Sequence, residues 1–377
     1  MTLNAAVETF TLGNFANTVT LGTAAGSLAQ HVAGGSSTDV LTLGAGAYTG
    51  NWSSISGLSL VAGSTSIAGV NSGAAFTGTP TLLITGGGTV TMTAAQYAGL
   101  GAITAAGTDV IIFSDAITGA ATLNADIETF VLAAGTNSVT VGASGQTINA
   151  DALTDEQVLT LAGTLAATVT LVAGDLTSTS SGNTTVTATT GTNVITTGSG
   201  NDTITGGAGA DTLKGGDGAD VYKYTATTDG STTPGSGDTI LTADFVSGSD
   251  KFNFTNAAFG SLGTGALTAA SDTGFTVSQA ATLIALADLT ADSEVYRVTF
   301  NDTTTFNAAF YDALDAAMTD GLGNHTGAAF FIITNGTDSR ILYDADTNAT
   351  AAGSIVELVK IVGASTLTVA TTDLVIV

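Results

Sequence analysis

Residues 197–223 read TGSGNDTIT, GGAGADTLK and GGDGADVYK, three consecutive nine-residue units that set Asp202, Asp211 and Asp220 in one position and Ile204, Leu213 and Tyr222 two residues further on. A unit of this kind divides into a tight turn and a short strand whose one large apolar side chain points into a stack. Glycines in the turn reach backbone angles closed to other residues and leave carbonyl oxygens free. Each Asp adds a carboxylate, and an all-oxygen donor set suits a hard cation, calcium above all. The stretch therefore predicts a parallel β-roll with calcium in its turns.

The pattern weakens outward in both directions. Residues 188–196 (ATTGTNVIT) keep the register with Asn193 in the Asp position and Ile195 in the apolar one, whereas 179–187 keep only Gly182 and Val186. Downstream, Asp229 holds the nine-residue spacing without glycines around it, and Gly237, Asp238, Thr239 and Ile240 echo the unit imperfectly. Two or three good sites are expected rather than a long array.

Composition limits what surrounds this element. The 377 residues suffice for two or three domains with real cores. Small residues dominate, only 10% are charged and two are proline, so the chain reads as many short strands between tight turns. The formal charge is −25 with six basic side chains, all at or after Lys214. A chain so poor in Lys and Arg cannot build the basic patch that nucleic acid or an anionic membrane surface requires, and both are excluded as partners. There is no cysteine, so disulfides and thiolate chemistry are ruled out. No apolar run is long enough for a membrane span, and MTLNAAVETF has neither a basic start nor an apolar signal core, so export is expected by a route other than a classical signal peptide.

The N-terminal half repeats itself. Asn4-Ala-Ala-Val-Glu-Thr-Phe-Thr-Leu12 and Asn17-Thr-Val-Thr-Leu-Gly22 return as Asn124-Ala-Asp-Ile-Glu-Thr-Phe-Val-Leu132 and Asn137-Ser-Val-Thr-Val-Gly142. Alternating apolar and polar residues within a repeated strand-turn-strand unit predict stacked β-rungs. Capping-box spacing at Thr93-Ala-Ala-Gln96 and Thr154-Asp-Glu-Gln157 predicts two short interrupting helices. After about residue 224 aromatic and basic residues become commoner. Helices are expected over 278–289 and 306–320, the second with Phe306, Phe310 and Leu314 on one face. Strands are expected over 294–300, 329–334, 339–343, 355–361 and 373–377. The fold class is thus mainly β: a right-handed parallel β-solenoid over 1–187, a calcium-binding roll over 188–223, and a β-rich C-terminal domain with a few short helices over 224–377.

These segments resemble RTX proteins exported by type I secretion and, more loosely, RTX surface-layer proteins. The nonapeptides of 197–223 carry the resemblance, with Asp238-Thr-Ile240 through Asp244-Phe-Val-Ser-Gly-Ser-Asp-Lys251 similar to the segment that follows the roll. Tyr343-Asp-Ala-Asp346 and the tail Asp373-Leu-Val-Ile-Val377 are similar to a C-terminal export region. The resemblance implies calcium shared between repeats n and n+2, pairing Asp202 with Asp220 and Asn193 with Asp211. Carbonyls of Gly198, Gly200, Gly207, Gly209, Gly216 and Gly218 would complete the shells, with a further oxygen from Asp217. It also implies secretion to the cell surface through the type I machinery, with a copy of the same chain or a surface polysaccharide as partner.

Competing chemistries find less support. His31 and His325 stand far apart and there is no H-E-x-x-H or G-x-S-x-G. The acid pairs Asp155/Glu156 and Asp312/Asp315 would need a sugar-stacking cleft to serve a glycosidase, and the chain has one Trp, Trp52. Asp344, Asp346 and Asn348 mimic the start of an EF-hand loop, but Ala349 stands where its Gly belongs, which favours a polar turn. Threonine rungs such as Thr18-Val-Thr20 and Thr89-Val-Thr-Met-Thr93 read as exposed strand faces before they read as an ice-binding ladder. The expectation is a non-enzymatic, secreted, calcium-binding structural protein that self-assembles. An adhesin that binds carbohydrate or other cells is the alternative, ahead of an ice-binding protein or a secreted hydrolase.

Overall fold

The computed structural model describes residues 2–3, 9–21, 31–255, 259, 265–266, 272–277, 295–300, 306–307, 310–311, 314, 329–335, 338–344, 355–362 and 374–376. The chain forms two compact units, Met1–Thr170 and Leu171–Val377. Mainly β-structure in parallel stacked coils, with a β-rich C-terminal region, is what the sequence predicts.

In the first unit each coil lays its strands directly on those of the coil before. Thr2–Leu3, Asn17–Leu21, Asp39–Leu43, Gly57–Val70 and Thr81–Met92 pair in parallel succession. The first half of Thr81–Met92 carries that column on to Ile103–Ala106, and its second half carries another, through Val110–Phe113, Thr129–Val131, Gln146–Asn149 and Ala167–Thr170. Other columns hold Thr9–Thr11, His31–Ala33 and Trp52–Ser53, and Ala121–Thr122, Asn137–Thr140 and Val158–Ala162. Alternation does what the pattern requires: Val19, Val90, Met92, Phe130 and Val139 are buried, while Thr18 is exposed and Thr91 half-buried. Each buried large side chain contributes about 1.5–3 kcal/mol, so the stack is held by the column rather than by any one coil.

The internal repeat is structural. Each copy forms strand, turn and strand, Thr9–Thr11 with Asn17–Leu21 and Thr129–Val131 with Asn137–Thr140, and both Val19 and Val139 are sealed inside. Thr93 caps the helix Ala94–Ala98, accepting from the Gln96 amide while Gln96 Oε1 accepts from Thr93 N. The second expected helix does not form. Gln157 Oε1 accepts from Thr154 N at 3.2 Å as a capping box would have it, but Glu156 adopts φ +68° and Gln157 reaches across to Gly135 N, so the segment is a turn leading into Val158–Ala162. The spacing signalled the cap and not the turn that follows it. Trp52 lies in the core against Tyr48, with ring centroids 6.1 Å apart, and offers no sugar platform. His31 accepts a hydrogen bond from Asn51 N and serves a coil turn.

The second unit begins with the roll. One column runs Thr184–Thr187, Thr203–Thr205, Val221–Tyr224, Lys251–Phe254 and Leu374–Ile376. The other runs Asp175–Ser178, Val194–Thr196, Thr212–Lys214, Asp238–Leu241 and Ile355–Val362. Inward residues stack in register as Val186, Ile204, Tyr222, Phe252 and Leu374 on one side and Leu176, Ile195, Leu213, Ile240 and Ile361 on the other, all buried. Aromatic rings take over where the nonapeptides end: Tyr222 stacks on Phe252 at 5.6 Å, Tyr224 on Phe254 at 5.6 Å, and Phe254 meets Phe330 at 4.4 Å.

Beyond the roll, Ile355–Val362 pairs with Asp338–Asp344, which pairs with Ala329–Thr334, both antiparallel. Val295–Phe300 and Asp272–Val277 then add in parallel. All of these but Asp272–Val277 are strands expected from sequence. Of the expected helix 306–320, Phe310, Tyr311 and Leu314 are helical and buried, as is the non-helical Phe306 before them. The helix expected at 278–289 and His325 lie outside the described residues.

Candidate metal centre

The nonapeptide turns sit on one another so closely that a side chain has no room. A Cβ on Gly209 would stand 1.6 Å from the Gly191 carbonyl oxygen two repeats earlier, and the residue holds φ +147°. Gly216, at φ +85°, is likewise pressed to the Gly198 carbonyl, 2.0 Å from where its Cβ would be. Only glycine satisfies both the dihedral and the approach. Gly198 and Gly200 underlie Gly216 and Gly218, and Gly207 rests over the Ala188 and Thr189 carbonyls.

This stacking aligns the acids into two ladders. In the first, Thr184 N donates to Asp202 Oδ1 at 2.6 Å, Asp202 N to Asp220 Oδ1 at 2.9 Å, and Asp220 N to Asp250 Oδ1 at 2.9 Å. In the second, Asn193 N donates to Asp211 Oδ1 at 2.8 Å and Asp211 N to Asp238 Oδ1 at 3.0 Å. Within the nonapeptides each step spans 18 residues, two repeats, so Asp202 neighbours Asp220 and Asn193 neighbours Asp211.

One oxygen of each acid is thereby used. The other, Oδ2 of Asp202, Asp211 and Asp220, is sealed from solvent with no hydrogen-bond partner, and so is Oδ1 of Asn193. The ladder ends differ: Asp238 Oδ2 accepts from the Tyr224 hydroxyl at 2.9 Å and Asp250 Oδ2 from Val246 N at 2.7 Å. The orphaned oxygens thus coincide with the Asp and Asn positions of the nonapeptides. An orphaned buried acceptor costs about 1–3 kcal/mol, more if charged, unless something supplies positive charge. A hard divalent cation fits that need. Among the described residues no three His, Cys, Asp or Glu side chains converge on a point, as expected where a site takes one or two carboxylates and draws the rest of its oxygens from the main chain.

The electrostatics say the same. Burial pushes the Asp211 and Asp220 carboxyls up to about 7, against the Asn193 and Asp202 amides that pull them down. The carboxylates of Asp202, Asp250 and Asp217 push Asp220 further up. Asp202 is raised by burial too, and Asp238 well above the carboxylate range, by burial first and then by Asp211. Asp217 itself is exposed on its turn. A roll that must ionise these groups at neutral pH without a cation is penalised at every rung.

Two acids depart from the sequence pattern. Asp229 leaves the ladder despite its exact spacing: its Oδ2 accepts from Thr225 N at 2.7 Å and Ala226 N at 3.0 Å, closing a local turn. Asp250 joins the ladder although its spacing is 30 residues. Its signal was Gly248-Ser249-Asp250-Lys251-Phe252, which repeats Gly-x-Asp-x-apolar as in Gly200-Asn-Asp-Thr-Ile204.

Residues 180–222 match the family described as the RTX calcium-binding nonapeptide repeat, in four copies. No curated protein and no solved structure matches the chain. The matched segment spans the turns, the glycine contacts and the orphaned acid oxygens, and RTX nonapeptide repeats bind calcium. Residues 180–222 are thus an RTX-type calcium-binding segment of the chain.

Proposed function

We propose that the protein is a secreted, calcium-stabilised structural component that assembles with copies of itself at the cell surface, as a layer or a filament. The observation that carries the calcium dependence is the set of buried oxygens without partners on Asp202, Asp211, Asp220 and Asn193. Calcium would be held there, with carbonyls of Gly198, Gly200, Gly207, Gly209, Gly216 and Gly218 and the exposed Asp217 carboxylate as further oxygens. Extracellular calcium modules bind at roughly 10⁻⁴ to 10⁻³ M, a concentration cytosol does not reach. The roll would stay loose inside the cell and order outside it, binding energy serving as folding energy. This supports secretion, by the type I route that the C-terminal segments resemble. Assembly is supported by the stacked-coil architecture and by the edge at Asp272–Val277, which among the described residues pairs on one side only.

Circular dichroism with calcium and with EDTA tests the folding step, and an unchanged spectrum would sink it. Electron microscopy of the calcium-loaded protein tests assembly. Ordered sheets or fibres are expected; dispersed monomers that adhere to glycans would replace this reading with an adhesin.

A further inference from the structure

The ladder device is not confined to the nonapeptides. In the first unit the residue immediately preceding a strand again passes its N–H to a side chain in the next coil. Asp109 precedes Val110–Phe113 just as Asp202 precedes Thr203–Thr205 and Asp220 precedes Val221–Tyr224. Gly88 N donates to Asp109 Oδ1 at 2.7 Å, and Asp109 N donates to Glu128 Oε2 at 2.8 Å. Asp109 is fully buried, and its Oδ2 is sealed from solvent without a hydrogen-bond partner, the same state as Oδ2 of the three roll aspartates.

The turn beneath it is also of the roll kind. Gly86, Gly87 and Gly107 hold φ of +81°, +79° and +117°, and a Cβ on Gly107 would stand 2.8 Å from Gly87 N. Asp39 supplies the internal contrast. It holds the equivalent place before Val40, accepts from Asn17 N at 3.1 Å, and has its Oδ2 satisfied by Gly35 N at 2.8 Å. A ladder acid in this unit can therefore be completed by the chain alone, and Asp109 is not.

We propose that Asp109 and Glu128, with carbonyls of the Gly86–Gly88 and Gly107 turns, form a calcium site in the N-terminal unit, outside the RTX repeats. The buried Asp109 oxygen supplies the fixed ligand. Glu128, whose side chain is exposed, supplies the second carboxylate and the route by which a hydrated ion enters. The site is independent of the roll: it would fill whether or not the nonapeptides do.

The test uses the full chain and calcium itself. Equilibrium dialysis over a calcium titration should give one ion fewer per chain at saturation for Asp109→Asn than for wild type, with Glu128→Gln raising the midpoint of that same ion about tenfold. Hydrogen exchange should show calcium-dependent protection at 86–88 and 107–110 in wild type, lost in Asp109→Asn and needing about ten times more calcium in Glu128→Gln, while protection of 197–223 is kept in all three. The exposed Glu128→Gln serves if Asp109→Asn does not fold. An unchanged ion count in folded Asp109→Asn, an unchanged midpoint in Glu128→Gln, or wild-type protection at 86–88 and 107–110 that ignores calcium would overturn the proposal and leave Oδ2 with a proton or a water.

Discussion

Replacing Asp220 by Asn should stabilise the metal-free protein and remove much of the stabilisation that calcium confers. The side chain is fully buried, with Oδ1 holding Asp202 N and Oδ2 without a partner. Asn keeps the acceptor and removes the charge. With the folded carboxyl pushed up to about 7 and an unfolded value near 3.9, the group favours the metal-free fold fully below pH 4. That contribution is lost as pH rises through about 7. The change is at most about 4 kcal/mol at pH 7.5, which Asn would relieve. In calcium that gain is set against the loss of the ion, which at 100 times its dissociation constant adds about 2.7 kcal/mol to the wild type alone. At about 2–4 °C per kcal/mol for a unit of this size, Asp220→Asn should cut the calcium-induced rise in Tm by about 5–10 °C and raise Tm in EDTA. Differential scanning calorimetry at pH 7.5 in calcium and in EDTA reads both. Equal losses under the two conditions, with the calcium shift intact, would mean that Asp220 is only a hydrogen-bond acceptor and would refute the reasoning.

Calcium affinity of the roll should fall between pH 7.5 and 6, as protons compete for Asp211 and Asp220; a pH-independent titration by calorimetry would contradict the burial argument. Gly209→Ala should abolish calcium-induced ordering, given its 1.6 Å clash with Gly191 O, whereas Gly235→Ala, at φ +83° with open space around it, should cost only about 1–2 kcal/mol; circular dichroism compares them. Trypsin should cut at Lys214 and Lys223 quickly in EDTA and slowly in calcium, leaving a fragment that begins at Met1, since no Lys or Arg precedes Lys214. Equal cleavage rates would show that calcium does not order these strands.

The inward columns and the central acids were readable because the roll repeats locally: two nonapeptides make one coil, and Ile204, Leu213 and Tyr222 mark its core without reference to the rest of the chain. Asp250 was hidden because a longer excursion separates it from Asp220, so constant spacing fails while coil geometry persists. Asp229 stays out of the ladder for the converse reason, already legible in the sequence: it keeps the count but not the glycines that let one turn nest on another. The satisfaction of Asp238 by Tyr224 involves two strands in different columns, a pairing that no periodicity announces. At Thr154 the cap was legible, yet the left-handed Glu156 decided the outcome.

The two ends of the acid ladders differ in a way that gives the roll a direction. At Asp238 and Asp250 the chain itself completes both oxygens, through the Tyr224 hydroxyl and the Val246 amide. That end can be assembled before any ion arrives. It presents the preformed acceptors Asp238 Oδ1 and Asp250 Oδ1 to the coil before it, whose own acids then require calcium to be settled in place. The aromatic C-terminal end is thus a template and the nonapeptides a zipper that closes from it toward residue 180. Ordering should spread against the direction of the sequence, with Asn193, whose amide side chain is already tied to the Gly174 carbonyl, among the last to close.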